Sequence, residues 1–169
     1  HRHMHSGTGF KCVGVDFSRP MLDKAAIKLK QRELRSVLTE ADVLQLPLPE
    51  AQFDLVTVAF GFRNLANYQK GLDEIFRILR PGGRLALLEF SQPKSPLSRF
   101  FFGFYFRNII PFLGNAISGS GNAYSYLQQS VDEFLTPSEL TAGLKTAGFS
   151  QVENIPLTGG IAMLHLAVK

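Results

Sequence analysis

The chain has a single cysteine, Cys12, among 169 residues, which excludes an internal disulfide framework and fits a reducing compartment. Cys12 opens an apolar strand pattern and reads as an inert buried thiol rather than a nucleophile. No stretch reaches the roughly 18 consecutive apolar residues that a membrane span needs, and no secretory signal is visible, so a cytoplasmic setting is the expectation. The formal charge of +4 comes from scattered bases, without the clustered footprint of a nucleic-acid binder. Metal-ligand spacing is lacking too: His1, His3 and His5 crowd a terminus that reads as an appended tail, and His165 stands alone in the last strand pattern. A phosphate-cradling glycine loop is also missing. Gly7-Thr8-Gly9 follows no strand and cannot serve as a dinucleotide fingerprint, which argues against NAD.

What is present is an alternation of strands and helices. Lys11 to Asp16 reads as a short strand ending in a carboxylate. Ser18 is a candidate N-cap with Pro20 in the first turn, and Met21, Leu22, Ala25, Ala26 and Leu29 give the following helix one apolar face. Arg35 to Asp42 is a second strand, again closed by a carboxylate. Phe53 to Ala59 is near-continuously apolar, as expected of a parallel strand covered on both faces. Tyr68 to Leu79 is an amphipathic helix stopped by Pro81-Gly82-Gly83, and Arg84 to Phe90 is a fourth strand. This alternation predicts an α/β doubly wound sheet. The segment 97–113 breaks it with Phe100, Phe101, Phe102, Phe104, Tyr105, Phe106 and Phe112, edged by Lys94, Arg99 and Arg107. It reads either as plain packing or as a basic-edged apolar lid over a lipid-like substrate or a membrane surface. A helix from Thr136, capped by Thr136 or Ser138 and closed at Gly148-Phe149, leads into two antiparallel strands joined around Thr158-Gly159-Gly160.

Ligands of open α/β sheets bind at the carboxyl ends of strands. Asp16 there can accept hydrogen bonds from both ribose hydroxyls of a nucleoside or can merely cap a helix; Asp42 can meet an adenine edge or sit in a turn. Together, at successive strand ends, the two acids favour a bound nucleoside. Phe60-Gly61-Phe62-Arg63-Asn64 follows the apolar Phe53–Ala59 strand and brings a cation and an amide to its end. Arg63 can polarise a phenol oxygen or position a water as base, or it can pair structurally with Asp73 or Glu74 on the next helix. Asn64 can be a turn residue.

Several segments fall in the order seen in the ubiquinone/menaquinone biosynthesis C-methyltransferases, and the chain resembles that family over essentially its whole length after Gly9. They are Val13-Gly14-Val15-Asp16-Phe17-Ser18, Ala41-Asp42-Val43, Leu46-Pro47-Leu48-Pro49, Phe60 to Asn64, Leu79 to Arg84, Leu88-Glu89-Phe90-Ser91, Tyr124-Ser125-Tyr126-Leu127 and Leu157 to Ala162. The resemblance implies a class I methyltransferase, Rossmann-like fold with S-adenosylmethionine as cofactor, as a single domain over residues 1–169 with a lid insertion at 94–135. It implies that Asp16 holds the ribose, Asp42 and Val43 the adenine, and that Ala59 lies beside the methionine portion. Arg63 and Asn64 would face the quinol as catalytic residues, with Phe62, Tyr124 and Tyr126 in the substrate pocket. No metal is implied.

Family members carry a further strand and an Asp/Gly-rich turn ahead of the Asp16 strand. The chain therefore reads as a fragment expected to bind S-adenosylmethionine weakly. The implied reaction is C-methylation of a prenylated hydroquinone, demethylmenaquinol being favoured. The competing readings are a non-catalytic scaffold that keeps the fold and a small-molecule O-methyltransferase. Peripheral contact with a membrane and a homodimer completed by strand exchange are further expectations.

Overall fold

The computed structural model describes residues 12–91, 130–131 and 134–169. The chain divides into two compact units, residues 1–48 and 49–169.

In the first unit, β1 (Val13–Asp16) and β2 (Val37–Glu40) form a parallel pair in which Val13 faces Val37 and Asp16 faces Glu40. Helix α1 (Arg19–Gln31) joins them, entered at Ser18 with Pro20 in its first turn. The apolar face expected of α1 is only partly buried: Leu22 is covered, whereas Met21 and Ile27 are exposed. Two further expectations are corrected in this unit. Cys12 is exposed rather than buried, because it precedes β1 instead of lying inside it. Strand β2 ends at Glu40, so Asp42 lies past the ladder, at the start of a 3-10 turn over Val43–Gln45.

The second unit holds a mixed four-stranded sheet, ordered β3 (Phe53–Ala59), β4 (Leu79–Phe90), β6 (Ala162–Val168), β5 (Ser150–Leu157). Strand β3 (Phe53–Ala59) runs parallel to β4 (Leu79–Phe90), and helix α2 (Tyr68–Ile78) makes the crossover. Asn67 caps α2 by accepting from the Lys70 amide at 3.0 Å. Helix α3 (Pro137–Thr146) follows, capped by Thr136 and not Ser138. Strands β5 (Ser150–Leu157) and β6 (Ala162–Val168) are antiparallel, as expected, and β6 pairs antiparallel with β4.

The Pro-Gly-Gly segment expected to stop α2 does so as a bulge. Phe53 pairs with Leu79 and Leu55 with Arg84, which leaves Arg80 to Gly83 looped out of the ladder. Gly82 has φ +75°, and a Cβ on Gly83 would stand 2.8 Å from the Arg80 carbonyl oxygen, so neither position takes a larger residue without strain. Phe62, Leu72, Ile75, Leu79, Leu85, Leu87, Leu140, Leu144, Phe149 and Ala167 make the core. Along β4, residues 83, 85, 87 and 89 are buried while those between are less so, the period of a strand with one covered face. Strand β3 departs from expectation: Leu55 is 54% exposed. Among the described residues β3 is paired along one edge only.

Candidate functional site

In the first unit Asp16 stands at a strand end as the sequence puts it, Asp42 stands past one, and both are already in partial use. Asp16 ends β1, half-buried, and its Oδ1 accepts the Ser18 amide at 2.8 Å. That bond fixes the carboxylate at the entrance of α1, where amides and the helix dipole favour negative charge. Its Oδ2 makes no hydrogen bond among the described residues, leaving an acceptor edge of the kind a ribose diol requires. The donor and acceptor chemistry at Asp16 therefore fits a nucleoside cofactor. Asp42 is exposed, and its Oδ1 accepts the Leu44 amide at 2.9 Å. Val43 is half-buried inside the turn that Asp42 caps.

In the second unit Ala59, exposed, is the last residue of β3 and lies opposite Leu88. Phe60 follows in the left-handed region at φ +56°, a conformation that costs a bulky residue of order 1 kcal/mol or more. It keeps one ladder bond, its amide donating to the Leu88 carbonyl at 2.9 Å, and its ring packs on Phe90 at 4.6 Å. Phe62, Arg63 and Asn64 form a 3-10 turn immediately afterwards.

Phe62 is 1% exposed, stacked on Tyr68 at 5.9 Å and edge-on to Phe134. Expected to line a substrate pocket, it is a core residue whose ring anchors the turn. Asn64 is exposed. Tyr124 and Tyr126, and nearly all of the 94–135 segment, lie outside the described residues.

Arg63 is the centre of this site. The anticipated pairing with Asp73 or Glu74 is corrected: Asp73 accepts from Gln69 and Glu74 pairs with Arg77 at 2.8 Å. The partner of Arg63 is Glu89, at 2.8 Å between Nη1 and Oε1, with side chains 10% and 0% exposed respectively. The Arg63 backbone amide also donates to Glu89 Oε2 at 3.2 Å, and the Phe90 amide to Oε1 at 3.0 Å. Around the guanidinium, Nη1 also donates to the Phe60 carbonyl, Nε donates to Ser130 Oγ at 3.3 Å, and the Phe90 ring lies 5.4 Å below the charge. Nη2 makes no hydrogen bond among the described residues.

The motif Leu88-Glu89-Phe90-Ser91 contains Glu89 without assigning it a role. The signal for one was there. A carboxylate at an inward position of Arg84-Leu85-Ala86-Leu87-Leu88-Glu89-Phe90 must be paired if it is charged.

The fold is shared with S-adenosylmethionine-dependent methyltransferases. A solved SAM dependent methyltransferase from Aquifex aeolicus superposes with a TM-score of 0.67 over 96% of this chain and 70% of its own, at 19% identity. The [4+2]-cyclase SpnF superposes equally well, at 15% identity over 96% of this chain and 67% of its own, so the fold by itself does not fix the reaction. The class is thus that of the class I, Rossmann-like methyltransferase fold.

Sequence narrows the class. A model of the ubiE/COQ5 methyltransferase family matches residues 2–169, and the chain belongs to that family. It is 47% identical to the demethylmenaquinone methyltransferase of Thermus thermophilus over 94% of this chain and 71% of the relative. It is 46% identical to that of Deinococcus radiodurans over 93% of this chain and 65% of the relative. The chain thus spans about two thirds of the length of such relatives.

Proposed function

We propose that this chain belongs to an S-adenosylmethionine-dependent enzyme that methylates a ring carbon of a prenylated hydroquinone, with demethylmenaquinol as the preferred substrate. The observation that carries the reading is Arg63: a cation at the end of an apolar strand, held on three sides, with Nη2 uncommitted among the described residues. Support for the substrate class comes from relatives named demethylmenaquinone methyltransferase.

When bound, S-adenosylmethionine supplies an electrophilic methyl group on a sulfonium. Asp16 would hold its ribose, Asp42 and Val43 its adenine, and Ala59 would stand at its methionine portion. A phenol ring carbon becomes nucleophilic only as the neighbouring hydroxyl loses its proton. As the ring carbon takes the methyl the carbon–sulfur bond breaks, and the ring C–H proton then leaves while the oxygen regains one, restoring the aromatic hydroquinone. Arg63 donates through Nη2 to that oxygen as negative charge grows on it, the kind of preorganised stabilisation that acts most strongly away from water. Asn64, the next residue of the same turn, helps hold the water that accepts the proton. Glu89, Phe60 and Ser130 keep the guanidinium from turning away, so little reorientation is needed at the moment of transfer. The aromatic sequence 97–113, with Arg99 and Arg107, suits an isoprenoid tail and a membrane surface, with Tyr124 and Tyr126 on the substrate side. Assembly as a homodimer completes the proposal.

The test is methyl transfer by the whole protein from labelled cofactor to demethylmenaquinol, to the ubiquinone precursor and to a simple catechol. Transfer to a ring carbon of demethylmenaquinol in preference to the others supports the reading. O-methylation of the catechol, or cofactor binding with no transfer, supports the competing enzyme or scaffold. Arg63→Ala is expected to lower kcat by about 100-fold or more while cofactor affinity changes by no more than about threefold. Asp16→Ala should do the reverse, weakening cofactor binding about tenfold. Equal loss of both quantities in Arg63→Ala would remove the proposed role.

A further inference from the structure

Glu89 is a fully buried carboxylate in an otherwise apolar row of β4. Taking a carboxylate out of water costs several kcal/mol unless good geometry and further hydrogen bonds offset it. Three donors converge on it: Nη1 and the backbone amide of Arg63, and the Phe90 amide. Two belong to the same residue, so Glu89 fixes both where the Arg63 backbone lies and which way its side chain leaves. The left-handed Phe60 turns its carbonyl to the same Nη1. Nη1 is thereby committed to protein acceptors, and the planar fork of the guanidinium has Nη2 as its remaining face. A purely structural ion pair at this depth could be replaced by apolar side chains at little cost.

We propose that Glu89 is a positioning residue for the reaction: it aims Nη2 of Arg63 at the substrate oxygen. This rests on the reading of Arg63 given above. An amide in place of the carboxylate breaks the arrangement even at equal size. Its single acceptor atom serves one side, and its NH2 then faces an amide or guanidinium donor.

The experiment is a double-mutant cycle on the whole protein with S-adenosylmethionine and demethylmenaquinol: Glu89→Gln, Arg63→Lys and the pair. Rates are normalised to cofactor bound per chain and taken below each variant's melting midpoint. Glu89→Gln is expected to lower kcat about 100-fold, the scale of a reacting group displaced by an ångström. The ascending limb of its kcat-pH profile should move to higher pH by about one unit, since a phenol without aligned Arg63 ionises later. Arg63→Lys should show the same shift, and the double variant should be little worse than the poorer single.

A lower plateau with an unmoved limb would mean that Glu89 only supports folding, and would overturn the proposal. So would losses that multiply in the double variant. A limb moved to lower pH would overturn it as well, because charge neutralisation rather than aim would then be the role of Glu89. Arg63→Lys at the parent rate would sink the Arg63 reading itself, and any action of Glu89 through it. Where Glu89→Gln melts below the assay temperature, Glu89→Asp carries the same test: it keeps the charge but falls one methylene short, and parent kcat in that variant overturns the proposal.

Discussion

The unit of residues 1–48 and that of residues 49–169 bury their side chains to very different extents. In the first, Leu22 and Leu46 are the buried hydrophobics among the described residues, while Phe17, Met21, Ile27, Leu34 and Val37 are exposed. In the second, ten buried residues form one core, the buried Glu89 carboxylate accepts three hydrogen bonds, and the buried His165 bonds Asn154 through Nδ1. Of the acids suited to a nucleoside, Asp16 thus ends a thinly packed parallel pair and Asp42 caps the turn after it, each aimed by a local amide. The cation suited to chemistry sits on a rigid sheet. Binding a flexible cofactor tolerates the first arrangement; holding a guanidinium to within a fraction of an ångström requires the second.

The largest expected consequence is in local opening. Amides of β4 and β6 in this chain should exchange with solvent at least about a hundredfold more slowly than those of β1, β2 and α1, because opening free energies follow buried apolar contact. Residue-resolved hydrogen exchange measures this directly. Equal protection in both units would break the comparison, and further slowing confined to β1 and α1 on adding cofactor would sharpen it.

The second consequence concerns acid. His165 on β6 is 2% exposed, and its Nδ1 meets Asn154 Oδ1 at 2.7 Å. The Asn154 amide nitrogen donates to Thr141 Oγ1 at 2.8 Å, and that hydroxyl donates to the Pro137 carbonyl at 2.8 Å, so β6, β5 and α3 are joined by one polar chain. Burial pushes the imidazole down to about 4 from its usual 6.5. The unfolded chain therefore binds the proton first as pH falls. The stability of the neutral, buried imidazole is present above pH 6.5 and is lost progressively towards pH 4, by about 3 kcal/mol at most. Urea unfolding of the second unit at pH 7 and pH 4.5 should show this loss, and His165→Gln should remove most of the difference. A pH-independent midpoint in the parent would contradict the burial argument.

How far the sequence could be read follows the same division. Strand and helix order came from apolar periodicity, and Thr136, Pro20 and the Thr158–Gly160 hairpin were legible because their signals lie within a few residues. Arg63 was legible as a candidate because a cation closes an apolar run. Its partner was not, since Glu89 lies 26 residues on and only the fold decides which acid a cation reaches. Asp73 and Glu74, nearer in sequence, are used locally by Gln69 and Arg77. Phe62 and Phe60 look alike in the motif, yet one is core and the other a left-handed, half-exposed strand end. Backbone geometry separates them, and residue type does not. Cys12 is exposed because β1 starts one residue later than the apolar pattern, and Leu55 is exposed because burial depends on what covers a strand, which no local pattern records.

The smallest effect separates the two units at their helix entrances. Thr136 and Glu139 close a full capping box on α3: the Glu139 amide donates to Thr136 Oγ1 at 3.3 Å, and the Thr136 amide donates to Glu139 Oε2 at 2.8 Å. The Thr136 hydroxyl also donates to that carboxylate at 2.7 Å and holds its pKa below the usual carboxylate value. Ser18 stands at the same position of α1, but its hydroxyl makes no capping bond; the work falls to Asp16, which accepts the Ser18 amide. Thr136→Ala should therefore cost about 1 kcal/mol, whereas Ser18→Ala should stay within about 0.5 kcal/mol. Thr136→Ala should also return the Glu139 carboxyl towards its ordinary titration, which carbon-detected NMR follows. If Ser18→Ala proved as costly as Thr136→Ala, α1 would be capped in solution by its own hydroxyl.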